Sequence, residues 1–86
     1  MGKYRLIFNP TVSKDLRRLP KEEVSRILMR IEELTDDPRQ KGCQKLSGQA
    51  RFRIRQGNYR ILYEILDEET TVRVIKIGHR KDVYRD

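Results

Sequence analysis

Four arginines fall within ten residues in the run R-F-R-I-R-Q-G-N-Y-R, from Arg51 to Arg60. A strand alternates its side chains across two faces. Arg51, Arg53 and Arg55 then share one face, with Phe52 and Ile54 on the other. A Gly57-Asn58 turn brings in a second strand that opens with Arg60. Guanidinium is planar, permanently charged and shaped to grip phosphate oxygens in pairs. Together with His79, Tyr84 and Glu64, such a set permits RNA cleavage without a metal. The ribose 2′-OH would attack the adjacent phosphate. The protein would supply a proton acceptor, a proton donor and cations around the phosphorane. DNA lacks the 2′-OH, so this route is specific to RNA.

Other chemistries have less support. One histidine and one cysteine, Cys43, without clustered carboxylates make no convincing zinc or two-metal site. The glycines lack the spacing of a phosphate-binding loop. No Ser-His-Asp or Cys-His arrangement is supported. No metal and no cofactor are expected. A single cysteine also excludes an internal disulfide.

Several elements must position these residues. Tyr4–Phe8 reads as a first strand, followed by Asn9 as a helix cap with Pro10 in the first turn. Val12, Leu16 and Leu19 give a short helix from about Pro10 to Arg18. Val24, Ile27, Leu28, Ile31 and Leu34 mark the stripe of a second, amphipathic helix, ended by Thr35-Asp36-Asp37-Pro38. Arg39–Gly48 reads as a loop. Three strands follow, at about Arg51–Gln56, Tyr59–Leu66 and Thr71–Ile77, as an antiparallel meander. Gly78–Asp86 reads as a polar tail with a helical turn near Tyr84. The expected architecture is α+β, in the order β-α-α-β-β-β. Two N-terminal helices would pack on one face of a small curved, mainly antiparallel sheet, leaving the arginines on the other.

Eighty-six residues make one domain, 1–86, that buries roughly 60–65% of its unfolded surface. The net charge is +7, and it is concentrated. Pro38–Tyr63 holds seven basic residues and no acidic one, as a binding patch requires. Nucleic acid or an acidic protein is the expected partner. No apolar run approaches the ~20 residues of a membrane span, and no signal peptide is evident, so a cytoplasmic location away from membrane is expected.

The pattern K-L-S-G-x-x-R-F-R-I-R-x-G-x-Y-R-I-L-Y-E-I, followed by V-x-V-I-K-I-G-H-R-K-D-V-Y-R, resembles the RelE branch of the RelE/ParE toxin superfamily. The resemblance covers nearly the whole chain, and its specific part is Lys45–Arg85. It implies the fold read above. It also implies the toxin of a type II toxin–antitoxin system, cutting messenger RNA in the ribosomal A site. By the same resemblance, the paired basic residues fall on Arg53 and Arg55, the arginine opening the next strand on Arg60, a later arginine on Arg80, and the C-terminal tyrosine on Tyr84. The basic residues would hold and neutralise phosphate, and the tyrosine would orient or deprotonate the nucleophile. Arginine replaces the lysine pair common in the family, and arginine hardly ever gives up a proton. His79 is therefore a candidate acid. Lys45, Arg51 and Lys81 join Arg53 and Arg55 as candidate phosphate contacts. Only two residues follow Tyr84, so the C-terminal helix of some relatives is not expected.

The implied partners are messenger RNA, the ribosome and a cognate antitoxin with an acidic or amphipathic segment. Operator DNA would bind only to the toxin–antitoxin complex. Two other functions fit the same fold: a ParE-like inhibitor of DNA gyrase, and an RNA-binding relative that no longer cuts.

Overall fold

The computed structural model describes residues 3–46 and 50–79. Strand β1 (Arg5–Phe8) leads into helices α1 (Val12–Arg17) and α2 (Lys21–Asp36). Strands β2 (Gln44–Lys45), β3 (Arg51–Gln56), β4 (Tyr59–Leu66) and β5 (Thr71–His79) complete the described fold, with a 3-10 turn at Asp67–Glu69. They form one sheet in the order β1-β5-β4-β3-β2. Among the described strands, only β1 runs parallel to its neighbour, pairing Arg5 with Thr71 and Phe8 with Val74. This is the expected α+β architecture with one added strand.

The helices lie on one face. Val12 of α1 and Ile27, Ile31 and Leu34 of α2 pack against Phe52, Ile54, Ile61, Tyr63, Ile65, Val72, Val74 and Ile77. Phe52 and Tyr63, register partners on β3 and β4, stack at 5.8 Å between centroids. The Tyr63 hydroxyl donates to the Pro38 carbonyl at 2.6 Å, tying the segment after α2 to the core. Burial pushes the Tyr63 phenol well above its ordinary value, with nearby Cys43 adding to the shift.

Several local expectations need correction. Asn9 does not cap α1, whose N-cap is Thr11 without a side-chain bond. The Asn9 N–H donates to the Val74 carbonyl at 2.9 Å, which prolongs the β1–β5 pairing and delays the helix. Leu28 does not join the buried stripe of α2 but is 40% exposed. Ile27 and Ile31, four residues apart on the same face, fill the space beneath the sheet. The expected loop from Arg39 contains strand β2, which pairs Gln44 with Arg53 and Lys45 with Phe52. A two-residue strand has too little periodicity to announce itself, and β3 supplies its hydrogen-bonding partner. Gly78 and His79, expected in the tail, extend β5 through pairing with Arg60 and Tyr59.

The β3–β4 hairpin closes as expected. Gln56 pairs with Tyr59 across Gly57-Asn58, and Gly57 adopts φ +60°. Glycine at the first central position is what a two-residue hairpin of this hand requires.

Candidate nucleic-acid interface

Strand alternation separates the hairpin into two surfaces. Phe52 and Ile54 of β3 enter the core with Ile61 and Tyr63 of β4. Arg51, Arg53 and Arg55 occupy the opposite face, where they pair with Glu64, Leu62 and Arg60 respectively. Arg55 and Arg60 therefore sit directly across from one another. Like charges so placed oppose folding by up to about 1 kcal/mol. Arg60 is nevertheless only 3% exposed. A buried cation facing a second cation is costly unless the surroundings stabilise it.

Arg53, Arg55 and Arg60 wall a cavity of about 430 Å³, completed by Gly42, Cys43 and Gln44. Gly42 has φ +98°, a left-handed conformation that suits glycine, and turns the chain into β2. Gln44, opposite Arg53 in register, accepts a hydrogen bond through Oε1 from Arg53 Nη2. Cys43 is half-buried and packs against the core behind the cavity. The cavity thus presents three guanidinium groups from two adjacent strands, backed by a short edge strand. Its chemistry suits a phosphate with several oxygens to hold.

The other expected site residues are distributed differently. Arg51 stands at the far end of β3, where Nε lies 3.4 Å from Glu64 Oε2. Glu64 also binds Arg73 at 3.2 Å, so it bridges two arginines away from the cavity. Lys45 follows Gln44 and pairs with Phe52, which places it on the helix-bearing side of the sheet. His79 is also on that side. It pairs with Tyr59, whose ring it meets edge-on at 5.7 Å, and Tyr59 packs against the core. Together they line a second cavity of about 340 Å³ with Asp15, Arg18 and Lys76. The fold therefore gathers Arg53, Arg55 and Arg60 but puts His79 across the sheet from them. Arg80, Lys81 and Tyr84 lie outside the described residues. Among the described residues, no three His, Cys, Asp or Glu side chains come together as a metal site would require.

Gly42, Cys43 and Gln44 are the wall residues that sequence reasoning missed. Their one readable signal was Gly42 in a polar segment, a mark of a turn and not of a site.

Comparison with known proteins defines the class. A family profile described as "ParE toxin of type II toxin-antitoxin system, parDE" matches residues 6–84. Toxin RelG of Mycobacterium tuberculosis is 35% identical, with 95% of this chain and 97% of that protein covered. The mRNA interferase toxin RelE of Escherichia coli is 28% identical, with 96% and 92% covered. The toxin–antitoxin complex RelBE2 of Mycobacterium tuberculosis contains a chain that superposes with a TM-score of 0.81. That chain is 31% identical, and the match covers 91% of this chain and 99% of the other. The chain belongs to the RelE/ParE superfamily of type II toxin–antitoxin toxins. Its relatives named above carry RelE-type names, in keeping with the expected branch.

Proposed function

We propose that this toxin is a RelE-type endoribonuclease that cuts messenger RNA in the ribosomal A site. The observation that carries the reading is the convergence of Arg53, Arg55 and Arg60 on one cavity within a RelE-like fold. The relative from Escherichia coli named an mRNA interferase supports it.

In this mechanism the scissile phosphate enters the arginine cavity. Arg53 and Arg55 hold its non-bridging oxygens, and Arg60 stabilises the charge that grows as the 2′-oxygen attacks. Pre-oriented cations in a partly dry site are worth far more there than in water. The 2′-oxygen bonds to phosphorus, the bond to the 5′-oxygen breaks, the departing 5′-oxygen takes a proton from solvent water, and a 2′,3′-cyclic phosphate forms. Tyr84 takes or orients the 2′-OH proton, and Arg80 adds charge beside it. Lys81 serves the flanking backbone, whereas Lys45, on the helix-bearing side, and Arg51, held by Glu64 away from the cavity, are left out of the set. His79 is left out of the set because its ring meets Tyr59 on the other side of β5. A cognate antitoxin is the matching partner, by analogy with the complexed relative. An acidic or amphipathic segment laid over the basic half would block the cavity.

Primer extension on a defined message, in ribosomes with an open A site, tests the reading. A new cut within the A-site codon, lost in Tyr84→Phe, is the expected result. The family profile described by ParE favours a second reading, gyrase inhibition. Gyrase-dependent DNA breaks with an intact message would establish that instead.

A further inference from the structure

The described strands contain a single acidic side chain, Glu64. It stands on β4, the middle strand of the sheet, in register with Arg51 of β3 on one side and Arg73 of β5 on the other. Phe52, Val72 and Val74 enter the core, so alternation puts Arg51, Glu64 and Arg73 together on the bare face. Each carboxylate oxygen meets a different arginine. Oε2 accepts from Arg51 Nε at 3.4 Å, and Oε1 accepts from Arg73 Nη1 at 3.2 Å. The Glu64 side chain is 18% exposed, against 48% for Arg51 and 41% for Arg73. The two guanidinium groups thus stay within reach of solvent, with the carboxylate between them.

This row lies where the basic track of β3 leaves the cavity. Arg55, Arg53 and Arg51 follow one another on one face at two-residue steps of about 7 Å. Arg53 and Arg55 wall the cavity, and Arg51 with Arg73 would carry the track onward across the sheet to β5. Cations outside a site bind the backbone of any nucleic acid, whatever its sequence. Glu64 alters that stretch in two ways. It halves the net charge of the row, from two positive charges to one. It also repels a phosphate that approaches either guanidinium, because both are in contact with its carboxylate.

We propose that Glu64 is a specificity-determining residue, masking Arg51 and Arg73 from phosphate and so ending the RNA-binding track at the arginine cavity. The inference rests on the phosphate-binding part of the proposed function, and not on the cleavage step. Free RNA gains little by lying across the sheet, which leaves the toxin for message that enters the cavity.

Glu64→Gln keeps the shape of the side chain and removes its charge. Glu32→Gln, on an exposed position of α2, makes the same change in net charge and serves as control. Binding is read across a salt series with a single-stranded oligonucleotide carrying 2′-deoxyribose, which cannot be cut. Glu64→Gln is expected to bind at least tenfold tighter at low salt and to steepen the salt slope by about 1.4, or ~0.7 for each of two added phosphates. Glu32→Gln should change affinity less than threefold and leave the slope alone. Adding Arg51→Gln and Arg73→Gln to Glu64→Gln should return slope and affinity to near the parent. The free oligonucleotide should also inhibit cleavage of ribosome-bound message at a concentration at least fivefold lower in Glu64→Gln. A Glu64→Gln protein that melts earlier but keeps the parent's slope would make Glu64 a strand-pairing residue only, and overturns the proposal. A parent slope near zero sinks the phosphate-binding reading and this inference with it. A parent slope near −2 that Glu64→Gln leaves unchanged sinks this inference alone. If the parent binds but does not cut, the nuclease reading falls, and the slopes still decide the role of Glu64.

Discussion

Arg60 shows how burial changes the meaning of a site residue. At 3% exposure it lines the cavity and also fills space behind it. Truncation to Ala would combine loss of charge with a void, at a stability cost of about 1–3 kcal/mol. Arg60→Lys is the cleaner probe. It keeps the charge and loses the fork, so cleavage should fall at least tenfold while circular dichroism and melting stay close to the parent. Arg55 is exposed and opposes Arg60, so Arg55→Gln should be neutral or slightly stabilising. Cleavage in Arg55→Gln should drop at least tenfold, measured on the same message. A matching drop in thermal stability would reassign Arg55 to the scaffold. Tyr63 belongs wholly to that scaffold. Tyr63→Phe should cost about 1 kcal/mol in denaturant unfolding through loss of the Pro38 bond. Its raised pKa also sets a pH dependence. The folded state favours the neutral phenol, so this contribution is complete below the unfolded value of about 10. It is lost progressively as pH rises beyond that value. Tyr63→Phe should abolish that part of the alkaline loss.

At the scale of elements, the end of β1 creates a problem that α1 solves. β1 pairs with β5 only as far as Val74, and the outer edge of β5 continues to His79. The Ile77 N–H on that edge donates to Asp15 Oδ2 at 3.1 Å. One side chain of α1 thus satisfies a backbone donor that a missing strand would have taken. Asp15→Ala should destabilise the fold by about 1–2 kcal/mol and raise hydrogen exchange at Ile77. Unchanged exchange there would show that water serves equally well. The Asp67 carboxylate does related work at the other end of the sheet. It accepts from Arg39 Nη2 at 2.6 Å and from the Tyr4 hydroxyl at 2.9 Å. Arg39, and next Tyr4, hold its pKa below the ordinary carboxylate range. That support is present above the unfolded value of about 4 and fades as pH falls through the lower folded one. Both ionic partners are about half exposed, so screening keeps it small.

Across the whole molecule, charge and topology reinforce each other. Most of the net +7 lies after Asp37, and the sheet gathers part of it on the face that the helices leave bare. Three cavity arginines engaging phosphates would give single-stranded RNA binding a salt slope of roughly −2 on logarithmic axes. Arg53→Gln should reduce that slope by about 0.7, read by fluorescence anisotropy across a salt series. An unchanged slope would place Arg53 outside the phosphate contacts. None of the described helices is long and apolar enough to cross a membrane.

Much of this arrangement was legible in the sequence because it rests on local periodicity. Alternation in R-F-R-I-R fixed which residues face the core, and Gly57 fixed the hairpin that sets Arg55 opposite Arg60. The 3.6-residue stripe located α2, although tertiary space chose Ile27 and Ile31 over Leu28 for burial. What periodicity cannot encode is decided by distant partners. The β1–β5 pairing captured Asn9 and postponed α1. The β3 edge made a strand of Gln44–Lys45 and brought Gln44 to Arg53. The continued pairing of β5 carried His79 to Tyr59, on the side away from the arginines. Residue types and spacing thus determined the chemistry available to this chain. Only the tertiary structure decided which of those residues share a cavity, because hydrogen bonds between strands far apart in sequence set both register and facing.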